Sequence, residues 1–590
     1  MKRSHYIFYL LVMLSLNCTI EKEPIIPKII KPLTGETIVE GEEILFQCSL
    51  PDDYSGKIIW SSSVEGVIST NSTFKLALSP GVHQVSLKYN NKECSSTIVS
   101  VEKSIVEIGQ SLVKTLISGD GRVFAGNGEY SPALISMENK PVRIELKSLD
   151  YNSNRYSGKS EPINNINAGL LKIYDKPVNS GIDFDIYKAF RQPRYSPVVL
   201  KPTIKGDIKD FKLFDFNDNY NLIIRQKKAV ATSERFILWA DSDIQVDDKF
   251  TGAIDRIIAR VSTICGILPD LYGENRLNIV INNLLNESEF AVGYFNRADL
   301  FRYENDPTNS FYNPSSNEGG IIYIGRPDET SFAFSSESIL ATIAHELQHY
   351  LHFYYKSYSR YLSGSESPPL EELFLDEGIS HLIESLSGYG ETGGNLLFAA
   401  RYLSNTGDYS LTENDRNGNY DSIGKRGYAA ILLDFLFRKS GGFIINEDGT
   451  ITDKGGISFI KKIITTHSTG IKALEEAADN NFKDIIREFC SYLEIENKKQ
   501  KNCLDNYLSL QNDPFTGQRL YIPIFLDNLF IHSSIPAISY RIKSYTINKD
   551  DLILPNSISF ISNILIENQR IDYHLQQSTG KVILVLNKIK

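Results

Sequence analysis

From Ile25 to Val101 apolar and polar residues alternate in short runs broken by Gly, Pro, Asn and Asp. A period of two predicts the strands of a small antiparallel sandwich. From Glu102 to Thr232 the chain stays strand-like and rich in turn residues, as in Val142-Arg143-Ile144-Glu145-Leu146. The pattern changes near Glu234: Phe236 to Asp241 reads as a strand, Phe250 to Leu268 as an apolar-periodic helix, and Leu277 to Asn282 as a strand again. The stretch that follows mixes both periods. After Cys503 short strand-like runs return, such as Leu520 to Phe525 and Val582 to Leu586. The expected architecture is therefore multidomain: N-terminal β-sandwich modules, an α+β domain, and a C-terminal β-rich module. The expected boundaries are a leader at 1–17, a sandwich at 18–103, a β-rich domain at 104–232, the α+β domain at 233–503 and the last module at 504–590. A chain of 590 residues, at about 100–200 per domain, has the length for this plan.

The leader has its own logic. Lys2 and Arg3 precede an apolar and aromatic run from Tyr6 to Leu14, too short for a stable bilayer span, and Cys18 stands where the run ends. The segment resembles a bacterial lipoprotein signal with Cys18 as the lipidated first mature residue, although Asn17 departs from the small residue usual there. This predicts export and a membrane anchor at the N-terminus, with a plain signal peptide as the other reading. Six cysteines less the lipidated one leave an odd number, so at least one thiol stays unpaired. Cys48 with Cys94, and Cys490 with Cys503, are the candidate disulfides; Cys265, in an apolar segment, reads as a buried structural thiol. The net charge of −10, with no Lys/Arg block, excludes nucleic acid as the expected partner.

The candidate chemistry lies in Ala344-His345-Glu346-Leu347-Gln348-His349-Tyr350. One helical turn separates His345 from His349, so both imidazoles can reach one metal ion, and Glu346 beside them is placed to take a proton from water. A catalytic zinc takes three protein ligands and leaves one position open. A third histidine at the metzincin spacing is absent, since His352 and Tyr355 occupy those places. Asp453, in Gly449 to Asp453, lies far downstream in a turn-rich stretch. The better source is Leu375-Asp376-Glu377-Gly378-Ile379-Ser380-His381-Leu382-Ile383-Glu384. There Glu377 and Glu384 fall two turns apart on one face, so Glu377 can bind metal while Glu384 orients a histidine. Gly378 and Ser380 are small enough for close helix approach.

These motifs, with Gly293-Tyr294-Phe295 and Asn313-Pro314-Ser315-Ser316-Asn317-Glu318-Gly319-Gly320-Ile321-Ile322-Tyr323-Ile324, resemble the hyicolysin family of secreted bacterial zinc peptidases over residues 230–500. The resemblance implies a gluzincin, thermolysin-like fold, one Zn²⁺ per chain on His345, His349 and Glu377, and Glu346 as general base. Glu384 would then orient a zinc-binding histidine, and His381 stands where some gluzincins place an orienting Asp. Asp376 replaces the Asn common before the ligand Glu. Tyr420 and Tyr428 are the candidates for stabilising the oxyanion, with His467 a weaker third. Met137-Glu138-Asn139 lies too far upstream to be an amine-binding motif, so the expected activity is a metalloendopeptidase acting on a protein or peptide. Asn317 and Glu318, before strand Ile321 to Ile324, are candidates to line the cleft beside an edge strand that pairs with extended peptide. A calcium loop at Glu413 to Gly418 is a poor fit, because Gly424 stands where its bidentate Glu belongs. Cys48 and Trp60 at the N-terminus give the first sandwich an Ig-like look. The rival reading is a surface lipoprotein that grips a host or envelope partner through its β modules, its peptidase fold silent. Oligomeric state has no signature.

Overall fold

The computed structural model describes residues 26–588 apart from 40–42, 51–55, 103–110, 117, 126–127, 148–149, 152–184, 194–201, 219, 272, 289–290, 447–448, 498–510, 543, 545–551, 562–563, 567–569, 577 and 579–580. The leader, with Cys18, and Cys503 lie outside the described residues. Among the described residues no helix is long and apolar enough to cross a membrane.

The first unit is a sandwich of a three-stranded sheet (Ile29–Lys31, Ile44–Cys48, Thr73–Leu76) and a five-stranded sheet led by the hairpin Gly81–Tyr89 and Lys92–Glu102. Trp60 is fully buried at its centre, edge-on to Phe46 and Phe74 at 5.7 Å each, and its indole N–H donates to the Asn71 carbonyl at 2.9 Å. The expected Cys48–Cys94 bridge is not formed: both are free thiols. Each faces a backbone carbonyl, Cys48 Sγ that of Ser72 at 3.6 Å and Cys94 Sγ that of Leu87 at 3.1 Å. Cys265 and Cys490 are free and buried as well.

The second unit departs from the expected modules. Strands Gly119–Phe124 and Val142–Lys147 flank Arg570–Gln576 in one sheet, while Gly128–Ser136 and Ser111–Leu116 flank Val582–Lys588 in another. The strands expected in separate modules at 104–232 and 504–590 thus build one sandwich, with Tyr130, Leu134, Ile144, Leu575 and Leu584 in a shared core. Alternation marks a strand but says nothing about its partner. Glu138, in the Met-Glu-Asn stretch, accepts from Ser578 Oγ at 2.6 Å and the Lys581 backbone N–H at 3.0 Å, tying the two chain segments together.

The boundary expected at 232/233 also falls inside a sheet. Strands β1 (Ile208–Asp215), β2 (Asn221–Thr232), β3 (Phe236–Ala240), β4 (Leu277–Ile281), β5 (Gly293–Tyr294) and β6 (Ile321–Ile324) form one six-stranded sheet in the order β1-β2-β3-β4-β6-β5. β3, β4 and β6 are parallel and buried, as central parallel strands must be, and apolar apart from Asn278 on β4, whose Oδ1 accepts the Trp239 indole N–H at 2.8 Å. β5 is the antiparallel edge, so the strand at Ile321–Ile324 is internal and not the expected edge. Asn317 is correspondingly drawn inward, its amide donating to Tyr323 Oη at 2.7 Å and to the Lys212 carbonyl at 2.9 Å.

Helix α1 (Asp248–Cys265) starts where Asp247 accepts the Phe250 N–H at 2.7 Å and ends at Gly266, whose φ of 130° suits no side chain. It packs, like α2 (Ser336–Phe353), against the sheet side of the domain. A helical lobe follows: α3 (Leu373–Leu386), α4 (Asn395–Ser404), α5 (Ile423–Lys439), α6 (Gly456–Thr465), α7 (Gly470–Ala478) and α8 (Phe482–Asn497). One continuous apolar core runs from the sheet through α2 and α3 into this lobe, and includes Leu520, Ile522, Ile524 and Tyr540 of the segment expected in the last module.

Candidate functional site

Two helices make the site. On α2 the helical period brings His345 and His349 to one face, their Nε2 atoms 3.1 Å apart. On α3 Glu377 faces them, Oε2 at 3.5 Å from His345 Nε2 and Oε1 at 3.7 Å from His349 Nε2. Two imidazole nitrogens and a carboxylate thus converge, with all three ligand atoms within 4.8 Å of one another. Among the described residues Glu377 Oε2 is buried without a hydrogen-bond partner, its 2.9 Å contact with Arg426 Nη1 being an ion pair that lacks hydrogen-bond geometry. An orphaned carboxylate oxygen beside two imidazoles is a donor set that fits a zinc-sized ion.

The electrostatics agree with such a cation. Burial alone would raise the Glu377 carboxyl, but Arg426 and the two imidazoles outweigh it and hold it well below the usual range. Burial would likewise lower His345, yet the neighbouring Glu377 and Glu384 carboxylates push it up to about 10.

Glu346, next to His345, is buried, and burial raises its carboxyl while the neighbouring imidazoles oppose the rise. Edge strand β5 runs close by. A Cβ added at Gly293 would stand 2.4 Å from Thr342 Cγ2, 2.9 Å from the Tyr323 carbonyl oxygen and 3.3 Å from Glu346 Cγ. Only glycine lets the strand approach the helix here.

Glu384 stands behind His345, whose Nδ1–H donates to Oε1 at 2.7 Å. His381 donates its own Nδ1–H to the same oxygen at 2.8 Å. His345, His381 and Glu384 also meet metal-ligand spacing, but an oxygen that already accepts two N–H donors reads as a hydrogen-bond centre. Asp376 backs the other imidazole: Oδ2 lies 3.2 Å from His349 Nδ1 and Oδ1 3.0 Å from His352 Nδ1.

Of the two tyrosines, only Tyr420 is near the site. It is exposed and lines a cleft with Leu373, Phe374, Glu377, Asp421 and Arg426. Tyr428 is not a site residue: it is fully buried, stacked on Tyr402 at 4.6 Å, its hydroxyl without a hydrogen-bond partner among the described residues. Its place in the apolar run of α5 made it core. His467 is exposed between α6 and α7. Asp453 accepts the Gly455 and Ile457 N–H groups at 2.8 and 3.0 Å, capping α6. In the Asn/Gly turn, the Asp415 carboxylate accepts the Asn417 and Asn419 N–H groups at 2.9 Å each, and the Lys425 ammonium lies on the Glu413 carbonyl.

Sequence reasoning missed Arg426, whose fork also grips Asp421 at 2.6 Å. It also left Asp376 without a role and took His352 only as a failed metal position. The signal for His352 was its place one turn beyond His349 on the same helix.

No family model matches the chain, and no curated protein matches it. Among solved structures, it is similar over 14% of its length to the fibronectin(III)-like modules of Clostridium thermocellum CbhA, with 21% identity, 99% of that chain covered and a TM-score of 0.12. It is also similar over 20% of its length to the N-terminal eight Ig domains of Down Syndrome Cell Adhesion Molecule isoform 1.30.30, with 12% identity, 20% of that chain covered and a TM-score of 0.12.

Proposed function

We propose that this chain is an exported, lipid-anchored zinc metalloendopeptidase of gluzincin type, similar to the hyicolysin family, acting on protein or peptide substrates. One observation carries the reading: the convergence of His345 Nε2, His349 Nε2 and the Glu377 carboxylate beside Glu346 on the same helix. His345, His349 and Glu377 would hold the ion. Zinc, when bound, supplies Lewis acidity toward water and toward a peptide carbonyl.

The protein's own groups do the rest. Glu384 and Asp376 fix the two imidazoles with Nε2 forward. Glu346, its carboxyl raised by burial, accepts the proton of the attacking water and hands it to the leaving amine nitrogen. The edge strand β5 offers backbone groups to an extended peptide beside Glu346. Arg426 fixes Glu377 from the cleft side, and Tyr420 is the remaining candidate to meet the oxyanion.

The test is an internally quenched peptide blocked at both ends. Wild-type protein is expected to cleave it, a chelator to abolish cleavage and added Zn²⁺ to restore it. Glu346→Gln should lower kcat/KM by about 10²–10⁴-fold with zinc content unchanged. Cleavage restricted to free N-termini would sink the endopeptidase assignment, and a Glu346→Gln protein of full activity would sink the catalytic role. In the rival reading, in which the sandwiches bind a partner and the site is silent, wild-type protein leaves every peptide intact.

A further inference from the structure

Each ligand imidazole is backed by a carboxylate, and each of those carboxylates is shared with a second buried histidine. On one side the chain of contacts is His345 Nδ1, Glu384 Oε1, His381 Nδ1, at 2.7 and 2.8 Å. On the other it is His349 Nδ1, Asp376, His352 Nδ1, at 3.2 and 3.0 Å. His381 and His352 are 3% and 1% exposed. We propose that His381 and His352 are positioning residues, each pinning the carboxylate that aims a zinc-binding imidazole; this rests on the metallopeptidase reading above.

The argument is one of cost. His381 lies edge-on to Phe398 at 4.6 Å, and its Nε2 is buried with no hydrogen-bond partner among the described residues. An unsatisfied buried nitrogen carries a desolvation cost that a phenylalanine in the same place would avoid. The ring's polar contact is with Glu384, a side chain with three rotatable torsions and an Oε2 that is itself buried without a partner. Without His381, Glu384 can turn away from His345. Gly393 leaves it the room, since a Cβ there would fall 2.3 Å from Oε2.

The His352 arm differs in its far end. Glu371 Oε2 lies 3.5 Å from His352 Nε2 and also pairs with Lys356, which donates to the Ile463 carbonyl at 2.9 Å. Gln348 Nε2 is also 3.1 Å from His352 Nδ1, and His352 Nε2 makes no hydrogen bond among the described residues, so Asp376 is the carboxylate that the ring meets at hydrogen-bond distance. This arm anchors the ligand helix to the base of α6, whereas the first ends on an apolar wall.

The test compares His381→Asn, which keeps a donor near the Nδ1 position, with His381→Phe, which keeps a ring against Phe398 but no donor, and repeats the pair at His352. Zinc affinity is read by competition with a chromophoric chelator, and site geometry by the visible spectrum of the Co²⁺-loaded full chain. Each Phe variant is expected to bind zinc about tenfold more weakly with an altered Co²⁺ spectrum, and each Asn variant to stay within about threefold of wild type. If a Phe variant does not fold, a Leu variant takes its place. Unchanged affinity and spectrum in the donorless variants would overturn the proposal, as would equal weakening in both variants with a lower melting temperature of the metal-free protein. An effect at one histidine alone confines the role to that arm and overturns it for the other. Wild-type protein that takes up no zinc would instead overturn the metallopeptidase reading itself.

Discussion

Glu377 has two partners of opposite consequence: the imidazoles that would share a metal with it and Arg426, which neutralises it without one. Removing the carboxylate leaves Arg426 facing the imidazoles. Glu377→Ala protein should therefore lose its zinc, from about one per chain to near none by elemental analysis. Gly293→Ala tests the approach of β5. The added methyl group meets a backbone oxygen at 2.9 Å, so strand and helix must part, costing about 1–3 kcal/mol in denaturant unfolding and displacing the strand from Glu346. A variant as stable as wild type would contradict that packing. Asp299 carries the pH prediction. Burial pushes its carboxyl up to about 7, against the Asn317 N–H and the Tyr323 hydroxyl that favour the charged form. An acid whose folded value lies above its unfolded one holds its proton more tightly when folded. Its contribution to stability is thus fullest below about pH 4 and falls as pH rises toward 7. The melting temperature of wild type relative to Asp299→Asn should decline over that window and level off above it; a constant difference would refute the assignment. The histidines, Glu346 and Glu377 were legible because helical spacing and a local motif encode them. Arg426 was not, because α5 delivers it across the lobe from far along the chain.

Among the elements, α2 and α3 were readable, for the spacing of His345 and His349 on one and of Glu377 and Glu384 on the other is helical. Which neighbour each small residue admits was not. Gly378 lies under α5, where a Cβ would meet Leu433 Cδ1 at 2.8 Å and Ala429 Cβ at 2.9 Å, while Ser380 turns to α2 and bonds Gln348. In an exposed helix alanine would gain about 1 kcal/mol over glycine. At Gly378 the overpacking of about 1–3 kcal/mol outweighs that gain, and Gly378→Ala should be net destabilising in chemical unfolding. Asp247→Ala, which strips the cap from α1, should cost about 1 kcal/mol and leave zinc binding intact. Tyr428 shows why a motif's neighbourhood misleads. A tyrosine next to an apolar run can point either way around the helix, and the stack of Tyr402, Tyr428 and Phe489 settles it inward.

At the scale of the molecule, periodicity gave a β-rich flank on either side of a mixed domain, and the structure joins the flanks. Pairing of Val142–Lys147 with Arg570–Gln576 and of Gly128–Ser136 with Val582–Lys588 spans more than four hundred positions of sequence, beyond the reach of any local signal. A protein ending at residue 542 should keep the six-stranded sheet and the helical lobe but expose the apolar faces of the strands at 111–151. Limited proteolysis should then trim 111–151 first, whereas the full chain resists there; equal resistance would contradict the shared core.

That shared sandwich also sets an order of events. Among the described residues the strands at 111–151 pair with strands at 552–588, so they have no edge to add to until those emerge, and closing so long a loop is slow. Everything between them can fold in the interval as an insert whose two ends are still free. Strands Arg570–Gln576 and Val582–Lys588, one in each sheet, then work as a clasp, drawn shut only once both have been made.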